Sequence, residues 1–194
     1  MDENKEEIKQ EEKKEKVNIK REILSWVLVV VAAYLLAFVI THFIIIKTEV
    51  ISGSMTATLN IDDRVIGNRL AYLFSDPERG DIVFFANPDD ETETYVKRII
   101  GLPGDTVEIA EGKVYINGSS TPLDEPYLPE TMKGSYGPYV VPEGCFFMMG
   151  DNRNHSWDSR EWDNTYVTKK QIYAKAWLRY KPSLGLIESA EYGE

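Results

Sequence analysis

The chain has 194 residues, 43% of them hydrophobic and 28% charged, with a net charge of -10. That length suits one modest domain plus an accessory segment, and the composition excludes both a disordered chain and a multi-span membrane protein. The acidic balance argues against nucleic acid as the main partner, because phosphate binding needs a basic face; one cysteine, Cys145, and two histidines exclude an intrachain disulfide and a structural zinc site of the usual type.

Residues 1–22 are almost all charged or polar and cannot bury an apolar face, so they read as a solvated tail or a frayed helix with Glu/Lys pairs at helical spacing. From Ile23 to Ile46 the composition changes abruptly to 24 residues without Asp, Glu, Lys or Arg. As a helix this run is about 36 Å long, enough to cross a bilayer core of about 30 Å with some tilt. It is apolar all round, unlike a buried helix with one polar stripe, and longer than a secretory h-region. Lys16, Lys20 and Arg21 precede the span closely and only Lys47 borders its far end, which predicts a cytoplasmic N-terminus and residues 48–194 outside.

Residues 48–194 carry 14 basic and 24 acidic groups and read as β-rich. Short apolar runs such as RVIG, GDIVFFA, TYVKRIIG, DTVEIA, KVYING, GCFFMMG and YAKAWLRY recur between turn signals such as Asn-Pro-Asp-Asp, Leu-Pro-Gly-Asp and Pro-Glu-Gly. VEIA-EGK-VYIN predicts a hairpin turning at Glu111–Gly112. The fold expected is mainly β: an antiparallel, barrel-like sheet domain over 48–194 on one N-terminal transmembrane helix.

The first chemical candidate is Ser54, in Ile51-Ser52-Gly53-Ser54-Met55. It lies eight residues past Ile46, so at most about 26–29 Å of extended chain separates it from the membrane exit. A nucleophilic serine needs a base. One reading uses His155 with Asp158. The other uses Lys97, in Tyr95-Val96-Lys97-Arg98-Ile99-Ile100, where alternation places Lys97 with Tyr95 and Ile99 and sends Arg98 to the opposite face. If that face is buried, desolvation lowers the lysine pKa, and a move from about 10.4 to near 8 costs roughly 3 kcal/mol.

Four segments choose between these readings. SGSMTATL (Ser52–Leu59), RGDIVFF (Arg79–Phe85), YVKRIIGLPGD (Tyr95–Asp105) and GDNRNHSWDSR (Gly150–Arg160) resemble, in order and spacing, the motif series of type I signal peptidases of the shorter Gram-positive type. The second pair of segments is long and specific; SGSM alone is not. The resemblance implies a membrane-anchored serine endopeptidase that removes signal peptides from exported preproteins after small residues, close to the lipid bilayer and the export translocon, without metal or cofactor. It implies Ser54 as nucleophile and Lys97 as general base. Ser52 joins the Ser54 N–H in the oxyanion hole, Ser156 hydrogen-bonds the lysine, and Asp158 and Arg160 form a supporting ion pair. Val50, Met55, Leu59, Tyr95 and Val96 match positions that line shallow pockets. The substrate is then expected as an added strand beside Glu49–Ser52 and Thr94–Val96.

The sequence departs from that pattern at Ala57, where the family usually has proline. Alanine leaves φ unfixed just after the nucleophile but removes no catalytic atom. The other classes open to the chain are an anchored β-domain without catalysis, a thiol enzyme built on Cys145, and a self-cleaving Ser–Lys protease of the repressor type. The apolar surroundings of Cys145 read as a strand core, and the anchor speaks against the cytosolic repressor type.

Overall fold

A computed structural model describes residues 3–192, which fall into two compact units that divide between Phe43 and Ile44. In the first unit α1 runs from Glu3 to Val39 and continues into a π-helical turn, Ile40–Ile44. The helix therefore takes in the charged segment that the sequence divides from the span. Glu, Lys and Gln are good helix formers, and residues 1–46 contain no glycine or proline to stop it. Residues Ile19–Ile44 are long and apolar enough to cross a membrane, and from Ile23 to Ile40 every side chain is exposed. Ile45 and Ile46, counted with the span in sequence, belong instead to a strand.

The second unit is built from antiparallel strands: β1 (Ile45–Glu49), β2 (Arg64–Asn68), β3 (Ile82–Ala86), β4 (Thr94–Gly101), β5 (Thr106–Ala110), β6 (Lys113–Ile116), β7 (Tyr136–Val140), β8 (Cys145–Met149), β9 (Val167–Thr168), β10 (Ile172–Lys181) and β11 (Gly185–Leu186). The larger sheet has the order β1-β2-β10-β3-β4-β8-β9, with β11 on β10; the smaller is β6-β5-β7. The β5–β6 hairpin closes through Glu111 and Gly112, both at positive φ (50° and 76°), as a two-residue turn matched to strand twist requires.

Alternation explains why the central strands read as unbroken apolar runs. Ile82 and Phe84 of β3 enter one core cluster with Val50, Met55, Leu59 and Val65, whereas Val83 and Phe85 enter a second with Ile99 and Met148. Phe147 and Met149 of β8 serve a third, over the smaller sheet, with Ile100, Val107 and Val141. A strand buried on both faces has no polar side to show. β4 lies between β3 and β8, so any charged residue on it is held away from water.

Candidate active site

Lys97 is placed by that central position. It sits opposite Val83 on β3, is 4% exposed, and keeps its stem among apolar neighbours, with Nζ 5.5 Å from the centre of the Tyr95 ring. Burial pushes its ammonium down to about 8; Asp158 and Asp151 pull the other way, and Arg160 adds to the fall. Nζ lies 2.6 Å from Ser54 Oγ.

Ser54 is carried by a short 3₁₀ turn, Gly53–Met55, that follows β1. Met55 and Leu59 hold this turn from below: both are fully buried and make one core cluster with Val50 and Phe84. The turn is clamped from above by the segment after β8. Asn152 N donates to Ser54 O at 3.0 Å, and Asn152 Nδ2 donates to Gly53 O at 2.9 Å. Ser52 Oγ stands 3.3 Å from Ser54 Oγ. The Ser54 hydroxyl, the Lys97 amine and the Ser52 hydroxyl thus meet in the lining of an open groove of about 700 Å³.

Val50, Tyr95 and Val96 line that groove beside Thr48–Ser52 and Phe84. Met55 and Leu59 are fully buried and pack in the core cluster with the groove residues Val50 and Phe84, as the foundation of the groove. Asp158 and Arg160 are paired side by side, Arg160 Nε donating to Oδ1 and Nη2 to Oδ2, each at 2.8 Å. Asp158 also accepts the Gly150 N–H at 3.0 Å. Ser156 differs from expectation: its Oγ is buried and, among the described residues, has no hydrogen-bond partner, Lys97 included. Lys97 points its amine at Ser54, and the Ser156 hydroxyl is turned against Gly150, where a Cβ would lie 2.2 Å from it. His155 is exposed on the groove wall, and among the described residues no hydrogen bond joins it to Ser54 or Asp158.

The family model for signal peptidase, peptidase S26, matches residues 23–181. The chain belongs to this family. It is 43% identical to "Signal peptidase I S" of Bacillus subtilis over 82% of its own length and 90% of that protein. It is 40% identical to "Probable signal peptidase I-2" of Synechocystis sp. over 78% of its length and 70% of that protein. A crystal structure of a signal peptidase I from Enterococcus faecalis V583 aligns with a TM-score of 0.45 at 33% identity, covering 52% of this chain and 97% of the other. The chain is accordingly a peptidase of the signal peptidase I type.

Against that family background two buried features stand out that the sequence reading passed over. Arg98, 2% exposed, donates through Nε and Nη2 to Asp151 at 2.9 and 2.7 Å, and Asp151 accepts Thr58 Oγ1 at 2.5 Å. Arg153 pairs with Glu125 in an equally dry setting. Both arginines lie within the motif runs; for Arg98 a charge inside an apolar strand was the available signal, whereas Arg153 stands in a polar run and a 3₁₀ turn, Arg153–His155, where a charge draws no notice.

Ala57 carries the second surprise. Thr56 lies at φ -54°, ψ 142°, Ala57 at φ 86°, and Thr58 N donates to Met55 O at 3.1 Å. This is a type II turn whose third position demands positive φ, which proline cannot adopt. At this backbone conformation a proline does not fit, so alanine here is set in a defined turn and is not simply a looser residue. Ala57→Pro is expected to destabilise the domain by at least about 1 kcal/mol and to lower cleavage, because the turn behind Ser54 must rebuild. Thermal unfolding and initial rates measure this; equal values for both proteins would refute the turn assignment.

Proposed function

We propose that this chain is a single-span membrane peptidase that cuts signal peptides from exported preproteins by a Ser54–Lys97 mechanism. The observation that carries the reading is the 2.6 Å contact between Ser54 Oγ and an amine held at about 8 by burial. Residues 1–22 lie on the cytoplasmic side, the apolar helix spans the plasma membrane, and residues 48–194 face outward, beside the bilayer and the export machinery. The apolar surface of the helix supports the span, and the basic residues Lys16, Lys20 and Arg21 ahead of its apolar run support the orientation.

Neutral Lys97 accepts the Ser54 proton as Oγ attacks the scissile carbonyl. The Ser52 hydroxyl and the Ser54 N–H receive the developing oxyanion, where loss of one such donor costs about 10²–10³ in rate. Collapse breaks the C–N bond, Lys97 returns its proton to the leaving amine of the mature protein, and the signal peptide stays esterified to Ser54. Water, deprotonated by Lys97, then releases the peptide as an acid. The groove between Glu49–Ser52 and Thr94–Val96 suits an extended strand, and Val50, Tyr95, Val96 and Phe84 line it with apolar side chains, which suits small apolar residues.

The test is incubation of the full chain, in detergent or vesicles, with a preprotein bearing a small-x-small site, followed by sequencing of the new N-terminus. Cleavage after the second small residue by wild type, with Ser54→Ala silent, is the expected result. Full cleavage by Ser54→Ala would remove the proposed nucleophile.

A further inference from the structure

Residues 187–192 follow β11 without regular structure of their own, yet they are tied firmly across the domain. Ile187 N donates to Trp177 O at 2.9 Å, Ser189 Oγ to the buried Asp81 at 2.7 Å, and Ala190 N to Gly80 O at 3.2 Å. Gly80 lies at φ 93°, and a Cβ there would come within 2.0 Å of Ala190 O, so the close approach requires glycine. Beyond it, the Tyr192 hydroxyl donates to the Tyr127 oxygen at 2.5 Å, since Tyr127 spends its own proton on Glu125 at 2.7 Å.

Two of these four ties, those of Ala190 and Tyr192, converge on Arg98. Gly80 O accepts Arg98 Nη1 at 2.8 Å as well as the Ala190 N–H. The Tyr127 ring stacks 3.9 Å from the Arg98 guanidinium carbon. Arg98 in turn fixes Asp151, which holds Thr58, and the next residue, Asn152, grips Gly53 and Ser54. A continuous series of buried and part-buried contacts, hydrogen bonds and one ring–guanidinium stack, therefore runs from Tyr192 through Asp151 and its chain neighbour Asn152 to the backbone of the Ser54 turn.

We propose that residues 187–192 are a positioning strap for Ser54, with Tyr192 its terminal fastener. Tyr192 is not among the residues that line the groove and does not touch Ser54 or Lys97, while Ile187 packs against the core cluster that includes Val50 and Phe84. It limits the motion of Arg98, and through Arg98 the motion of the clamp over Ser54. The inference rests on the Ser54–Lys97 reading. Small displacements of a nucleophile weaken the near-attack geometry, so the strap acts on kcat and leaves groove binding alone.

The experiment compares the full-length wild type with Tyr192→Phe, Tyr127→Phe, the double variant and Ser54→Ala, at a temperature well below unfolding. Active sites are counted by stoichiometric acylation so that misfolded protein does not enter kcat. Tyr192→Phe keeps the ring and loses one hydrogen bond, and kcat is expected to fall about fivefold with KM unchanged. The double variant is expected to be no worse than Tyr127→Phe alone, because the two hydroxyls share one bond. A kcat within twofold of wild type overturns the proposal, as does a change confined to KM or a loss that adds in the double variant. Ser54→Ala separates the two readings: if it cleaves, the nucleophile assignment fails; if it is silent while Tyr192→Phe is fully active, the strap alone fails.

Discussion

Replacing Lys97 by methionine is expected to lower kcat/KM by about 10²–10⁴ while leaving the domain folded. Methionine matches the stem of lysine closely and carries no proton acceptor of comparable strength. The variant also removes an unfavourable burial. In the folded protein the lysine stands at about 8 against an ordinary 10.5, so its ammonium is disfavoured by folding. That difference is worth about 3 kcal/mol, present in full below pH about 8 and relieved as pH rises from there to 10.5. Wild-type stability therefore rises relative to Lys97→Met across that window, and below it the variant is at least as stable. Urea unfolding at pH 6 and pH 10, alongside cleavage rates, checks both signs. Retention of more than a tenth of wild-type activity would show that another group takes the proton.

The second large effect concerns stability. Arg98→Met strips the partner from Asp151, a carboxylate with no exposed surface, and a broken buried pair of this kind costs about 3–5 kcal/mol. The loss exceeds that expected from volume, because the methionine fills much of the same space. Since Asp151 holds Thr58 and is followed by the Asn152 clamp, activity is expected to fall with stability. Adding Asp151→Leu to Arg98→Met removes the stranded charge, and part of the stability is expected to return. Urea midpoints at fixed m value measure the series. A single-variant loss below about 1 kcal/mol would show that the pair is hydrated in solution.

Much of the fold could be read in the sequence because its signals are local. The Glu111–Gly112 hairpin announced itself through turn residues at a fixed offset, and β4 coincides with the run TYVKRIIG. The apolar run from Ile23 located the helix, but not its start at Glu3 or the entry of Ile45 into β1, since both boundaries depend on propensity and pairing across the chain. For the site, long motifs placed Ser54 and Lys97 on neighbouring elements. They did not separate groove wall from foundation: Val50 and Met55 are both apolar, and only the three-dimensional path puts one on the groove and the other beneath it. The Ala57 turn was hidden because φ is not written in the side chain. Residues beyond Trp177 carry no chemical signal in the sequence, because the ties of Ser189, Ala190 and Tyr192 reach partners more than sixty residues away.

The most direct measurement of the central claim is the pH dependence of Ser54 acylation by a small activated ester, followed by mass shift of the full chain. A Lys97 base at about 8 predicts a rate that rises about tenfold per unit on the acid side and levels off above pH 8, and a Lys97→Met variant without that limb. A midpoint near 6.5 that survives in Lys97→Met and disappears in His155→Ala would contradict it, and would transfer the role of base to the histidine.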